Sequence, residues 1–156
     1  MILLRLRTAL GYQLARYLMR YPALVKQPKM WAWMERQFSR KAALGSAKAQ
    51  AFYGHILLFR GVGLGAQQEG RRLLVLAAQA GDAKSAYQLG VLSLQAGVER
   101  ACDAQEAARW WSMAAQAGHP LAAKRLAKLY EEGAPGLAAN AEQARFYHER
   151  ARELGL

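Results

Sequence analysis

Apolar residues at the start of the chain recur at steps of three and four. Leu3, Leu6, Leu10, Leu14, Tyr17 and Tyr21 trace one stripe, and Arg5, Gln13, Arg16 and Arg20 fall on another side. This spacing predicts a basic amphipathic helix over residues 1–21, stopped by Pro22. A short connector ends at Pro28, and Trp31, Trp33 and Met34 open the next helix. Further on, the helical period returns in short phrases that each close on a glycine: RKAALG at Gly45, LLVLAAQAG at Gly81, WWSMAAQAG at Gly118 and FYHERARELG at Gly155. Those glycines lie 36, 37 and 37 residues apart, so the chain is built from an internal repeat.

A second phrase follows each of the first three glycines: SAKAQAFYGHILLFRG from Ser46, DAKSAYQLGVLSLQAG from Asp82 and HPLAAKRLAKLYEEG from His119. Ser46 and Asp82 are N-cap residue types, and Pro120 sits where a helix start tolerates a missing N–H. Gly54, Gly90 and Ala127 share one position inside these first helices, where a small residue permits close helix approach. Gly61, Gly97 and Gly133 are expected to end them in left-handed cap geometry. Second helices then run from about Glu69, Ala104 and Asn140, with Asp103 and Asn140 as caps. Leu73 before Ala77, Trp110 before Ala114, and Phe146 before Arg150 and Ala151 are expected to pack between helices. Each unit is an αα-hairpin.

The stretch DAKSAYQLGVLSLQAGVERACDAQEAARWWSMAAQAG, residues 82–118, closely resembles the Sel1-like repeat, a relative of the tetratricopeptide repeats. The resemblance lies in Leu-Gly of helix one and in the Ala, Trp and Ala-Ala-x-x-Gly of helix two. The repeat starting at His119 fits well in its second helix. The one starting at Ser46 is degenerate, with Tyr53-Gly54 for Leu-Gly and Leu73 for the aromatic. The expected fold is all-α: a right-handed αα-hairpin solenoid with repeats 46–81, 82–118 and 119–155, a half repeat 28–45 in which Phe38 takes the aromatic position, and an N-terminal extension 1–27. The resemblance implies a scaffold or adaptor that binds partner proteins, as in signalling and envelope assembly, with neither cofactor nor active site.

Composition agrees with a folded, helical chain: 53% of its 156 residues are hydrophobic and 21% charged, too apolar for disorder. A lone cysteine, Cys102, excludes an intramolecular disulfide framework and is expected to be a small apolar filler near a loop. Arg5 and Arg7 interrupt the first apolar run, so a signal peptide is not expected, and no stretch reaches the ~20 apolar residues of a membrane span. The expected location is cytoplasmic, with peripheral attachment at the inner membrane surface as the alternative.

Charge is unevenly placed. Residues 1–72 hold 13 basic and two acidic side chains, a net +11, whereas residues 73–156 hold nine of each. The basic half suggests an anionic contact, membrane lipid or nucleic acid, through Arg5, Arg16, Arg20, Lys26, Lys29, Arg36 and Arg40, interleaved with Tyr17, Tyr21, Trp31 and Trp33. No recognised nucleic-acid motif accompanies them. The competing reading is a solvated basic face, and the simplest role for residues 1–21 is a cap on the first repeat.

By analogy with tetratricopeptide relatives, first helices form the concave wall that takes a partner. This points to Lys48, Phe52 and His55, then Ser85, Gln88 and Val91, then Ala122, Arg125 and Lys128. A shift of one residue brings in Lys84, Tyr87, Lys124 and Glu131 instead. A protein partner, of acidic character, is the expected ligand of a mildly basic groove with aromatics. Catalysis has no constellation to rest on. His55, His119 and His148 occupy different places in the repeats, His119 in a capping region, and Glu131 and Glu132 are neighbours that point apart on a helix. The serines lack a Gly-x-Ser-x-Gly turn, and GVGLGAQQEG lacks the strand and Lys-Ser/Thr of a phosphate cradle. No metal, cofactor or small-molecule substrate is expected.

Overall fold

The computed structural model describes residues 2–95 and 101–156, with side chains from residue 6 onward. The expected cap at Gly97 and the side chains of Leu3 and Arg5 lie outside the described residues. The described elements run in the order α1 (Ile2–Leu18), α2 (Pro22–Val25), α3 (Pro28–Ala43), α4 (Ala47–Arg60), α5 (Leu64–Gln79), α6 (Ala83–Ser93), α7 (Ala104–Gln116), α8 (Pro120–Glu132) and α9 (Ala141–Glu153). Among the described residues the chain is all-α, with a single isolated bridge, Ala134 to Leu137, around Pro135-Gly136. It divides into two compact units, residues 1–73 and 74–156, the division falling within α5.

Local chemistry sets most boundaries. Asp82 accepts from the Ser85 N–H, Asp103 from the Glu106 N–H, and Asn140 from the N–H groups of Glu142 and Gln143. Ser46 precedes α4, but its hydroxyl makes no cap bond. Gly45, Gly81, Gly118 and Gly155 close their helices at φ of 79°, 94°, 87° and 97°, the left-handed region that only glycine enters cheaply. Gly133 does the same at 68°. Gly61 does not: its φ is −69°, and glycine is needed because a Cβ there would meet the Leu57 carbonyl. The expected loop 61–68 is also shorter than the glycines suggest, since α5 begins at Leu64 and not near Glu69. Gly70 serves packing, as a Cβ on it would lie 2.9 Å from the Gly54 carbonyl oxygen.

In the first unit α1 packs on α3, and α3 on α4. Met34 and Phe38 are fully buried, and Tyr12, Phe38 and Phe52 meet edge to face with ring centroids 5.1–6.3 Å apart. The Tyr12 hydroxyl reaches the Lys48 carbonyl, and burial raises its pKa. Helix α1 engages this core through Tyr12 and Ala15, not through its leucine stripe: Leu6, Leu10, Leu14, Tyr17 and Tyr21 are all exposed. Small residues lie on or beside the packed face: Ala15 is fully buried, and Gly11 sits beside the movable Gln37 amide, whose Oε1 would be 2.5 Å from an added Cβ. The helix also ends earlier than expected, at Leu18, and Pro22 starts the short α2 instead of a plain connector.

In the second unit α6 packs on α7, α7 on α8 and α8 on α9. The interlocking aromatics stand one residue later than expected. Trp111 is 3% exposed and covers Gly90, where an added Cβ would lie 2.4 Å from the indole; its N–H donates to the Tyr87 carbonyl at 3.1 Å. Trp110 is only half-buried. Tyr147 is 8% exposed, while Phe146, at 58%, faces outward. Phe38, Leu74, Trp111 and Tyr147 thus share a register, each followed four residues later by a buried alanine: Ala42, Ala78, Ala115 and Ala151. Leu73 is buried as expected. Cys102 is no filler: it is exposed, its thiol against the Leu94 carbonyl at 3.1 Å.

Candidate functional site

In the second unit, α6 turns Lys84, Tyr87, Gln88 and Val91 outward because Ala86, Leu89 and Gly90 face α7. On α8 the buried Ala122, Ala123, Leu126 and Ala127 leave Leu121, Lys124, Arg125 and Lys128 exposed. These faces meet at Tyr87. The His119 imidazole stacks on its ring at 4.4 Å and 9°, and the Arg125 guanidinium lies 5.4 Å from its centroid and 5.8 Å from that of Trp111. Two of the residues expected on the wall are not there, since Ser85 and Ala122 are both fully buried. Lys84, Tyr87 and Lys124 from the shifted register are accessible, together with Gln88, Val91, Arg125 and Lys128 from the other.

His119 is more than a capping-region residue on the surface. It is half-buried, and its Nδ1 accepts the Ala122 N–H at 3.3 Å, so the ring caps α8 in its neutral form. Burial, followed by the charge of Lys84, lowers its pKa below 6.5. Sequence reasoning missed this stack, although an aromatic on α6 and a histidine at the N-cap of α8, one repeat boundary apart, signal it. The other histidines have partners of their own. His148 pairs with Glu131 at 2.8 Å, and His55 stacks on Phe59 at 6.2 Å. Glu132 faces Lys128 at 3.5 Å, so Glu131 and Glu132 engage different partners.

In the first unit, Lys48 is exposed and His55 half-buried, but Phe52 is covered by the chain itself, under Tyr12 and the Arg16 guanidinium at 5.0 Å. Of the basic residues read from the sequence, Arg16 is therefore occupied by aromatic faces, and Arg20 lies 5.8 Å from the Tyr17 ring. Lys26 and Lys29 are exposed near the start of α3. Arg36 and Arg40 line a cleft of about 870 Å³ between α1 and α3, where they are joined by Trp33 and by Arg7, which sequence reasoning did not single out. Glu35 and Glu69 are both engaged: Glu35 accepts the Tyr53 hydroxyl, whose pKa burial and that carboxylate push up to about 12, and Glu69 binds Arg72 in two hydrogen bonds of 2.7 Å.

The repeat geometry has a match in sequence: Sel1 repeats are found at residues 47–82, 83–119 and 120–156. The chain belongs to the Sel1 repeat family. Sel1 repeat proteins generally mediate protein–protein interaction, and the repeats typically form non-catalytic scaffolds. Among solved structures, the chain is similar to a Sel1 repeat protein from Oxalobacter formigenes, at 29% identity and a TM-score of 0.69, over 80% of this chain and 35% of that one. It is also similar to a protective antigen of uropathogenic Escherichia coli strains with the same repeat fold, at 27% identity and a TM-score of 0.65, over 79% of this chain and 26% of that one. The chain thus spans about a third or less of the length of these Sel1 repeat structures. No curated protein matches it. Among the described residues, no helix is long and apolar enough to cross a membrane.

Proposed function

We propose that this Sel1 repeat chain is an adaptor whose first-helix face on α6 and α8 binds an acidic segment of a partner protein. The observation that carries this reading is the Tyr87 cluster. A half-buried aromatic contacted by His119 and Arg125 offers a rigid platform, and the same two helices carry exposed Lys84, Lys124 and Lys128, in a unit whose basic and acidic residues balance overall. Tyrosine and arginine in pre-set positions give contact area at low entropic cost, and lysines around them favour carboxylates and speed encounter. Val91 and Leu121 add apolar contact beside the cations. Lys48 and His55 of the first unit are further first-helix candidates, while Phe52 is excluded by its own cover.

The test is charge reversal in the full chain. Lys84→Glu combined with Lys124→Glu and Arg125→Glu is expected to lose the proteins that the unaltered chain retains from its native host, whereas Arg145→Glu with Arg152→Glu on α9 is expected to keep them. Retention of the same proteins by both variants sinks the assignment.

A further inference from the structure

The two long faces of α1 have opposite surroundings. Tyr12 and Ala15 are buried against the first unit, whereas Leu6, Leu10, Leu14 and Tyr17 face away, with Leu10 at 72% exposure, and the exposed Tyr21 follows just past the helix end, its hydroxyl 3.0 Å from that of Tyr17. Steps of three and four align the residues on α1 into one stripe, which runs about 16 Å from Leu6 to Tyr17 at ~1.5 Å per residue. A continuous apolar stripe of this length on a surface helix marks a place where something else binds. Basic groups border it on both sides. Arg20 lies against Tyr17 on one side, and Arg7, three and seven residues before Leu10 and Leu14, stands on the other.

Arg7 also opens the cleft of about 870 Å³ that it shares with Arg36, Arg40 and Trp33, whose lining contains no acidic residue. The unit that carries both features holds the entire net charge of +11, and its two carboxylates are already engaged. A second copy would satisfy the leucines but would bring two such charges together. An anionic bilayer satisfies both features at once.

We propose that α1 lies in the plane of an anionic membrane surface, with Leu6, Leu10 and Leu14 in the boundary between headgroups and acyl chains, Tyr17 and Tyr21 at the headgroup level, and Arg7, Arg36 and Arg40 against lipid phosphates. Leucine on one face, arginine at its borders and tyrosine near one end are the composition of interfacial helices. The buried face stays on α3, so docking needs no unfolding of the unit. This site is independent of the α6 and α8 face and stands or falls separately from it.

Vesicle flotation of the full chain at about 0.1 M salt tests the proposal, using phosphatidylcholine alone and phosphatidylcholine with about a third phosphatidylglycerol. The chain is expected to float with the anionic vesicles and not with the neutral ones. Leu10→Asp with Leu14→Asp is expected to abolish flotation. Arg7→Gln, Arg36→Gln and Arg40→Gln together are expected to weaken it about 100-fold, at roughly fivefold per arginine. All five side chains are exposed or line an open cleft, and thermal melting by circular dichroism verifies that the variants stay folded. Absence of flotation, equal flotation with both vesicle types, or anionic flotation that survives the leucine substitutions each overturns it. So does a dimer that the leucine substitutions dissolve in a chain that ignores vesicles, which would assign the stripe to a second copy.

Discussion

Trp111 and Tyr147 sit in the core where the adjacent Trp110 and Phe146 do not, and substitution separates them. Trp111→Ala is expected to cost about 3–5 kcal/mol, from the cavity over Gly90 and the lost bond to the Tyr87 carbonyl. Phe146→Ala is expected to stay within about 0.5 kcal/mol of the unaltered chain, while Tyr147→Ala costs several-fold more. Urea denaturation measures all three, and equal losses at 146 and 147 would contradict the register. Ser85 makes the opposite case. Its hydroxyl is buried without a hydrogen-bond partner among the described residues, at a position where the other repeats carry Ala49 and Ala122, so Ser85→Ala is expected to be neutral or stabilising by about 1 kcal/mol. His119 brings pH dependence. Its folded pKa is depressed below 6.5, so the stability due to its neutral, capping form is complete above that value and is lost as pH falls through it. Thermal melts between about pH 7.5 and pH 5 are expected to fall further for the unaltered chain than for His119→Asn, which keeps a cap acceptor that does not titrate. Parallel curves would contradict this.

At the scale of the helices, Asp82→Ala and Asp103→Ala are each expected to cost about 1 kcal/mol in thermal or urea unfolding, and Ser46→Ala less, because of these three only the aspartates make cap bonds. The hairpins were legible because their punctuation is physical. Glycines every 36 or 37 residues take left-handed φ values, and a side chain pays for that conformation. Gly63 and Gly65 misled at the start of α5: glycines so close together read as loop, yet only Gly63 takes a left-handed φ, and Gly65 lies inside the helix with open space around it. The packed face of α1 was not legible, because periodicity shows that an apolar stripe exists, not which side finds a partner. Gly11 and Ala15, small residues four apart beside Tyr12, were the signal for the packed side. The aromatic register slipped by one at Trp110 and Phe146 because each has an aromatic neighbour; Phe38, without one, already marked the correct position.

Over the whole molecule, charge and structure divide at nearly the same place. The unit of residues 1–73 carries +11 and the unit of residues 74–156 carries equal numbers of basic and acidic side chains. Contacts through the first unit should therefore weaken steeply with added salt, whereas contacts at the Tyr87 platform, where aromatic and aliphatic surface contributes, should weaken less. Of the candidate site, the cations on α6 and α8 were legible from repeat position, but their convergence on Tyr87 depends on how neighbouring repeats stack, which spacing along one chain does not encode. The most direct test of an adaptor face there is photo-crosslinking in the native host. A benzophenone amino acid placed at Gln88, half-buried among the exposed cations, is compared with one at the outward-facing Phe146 of α9. The expected result is one discrete protein adduct from position 88, lost on Lys84→Glu with Lys124→Glu, and none of the same mass from position 146. Adducts of the same mass from both positions, or from position 146 alone, would contradict the account.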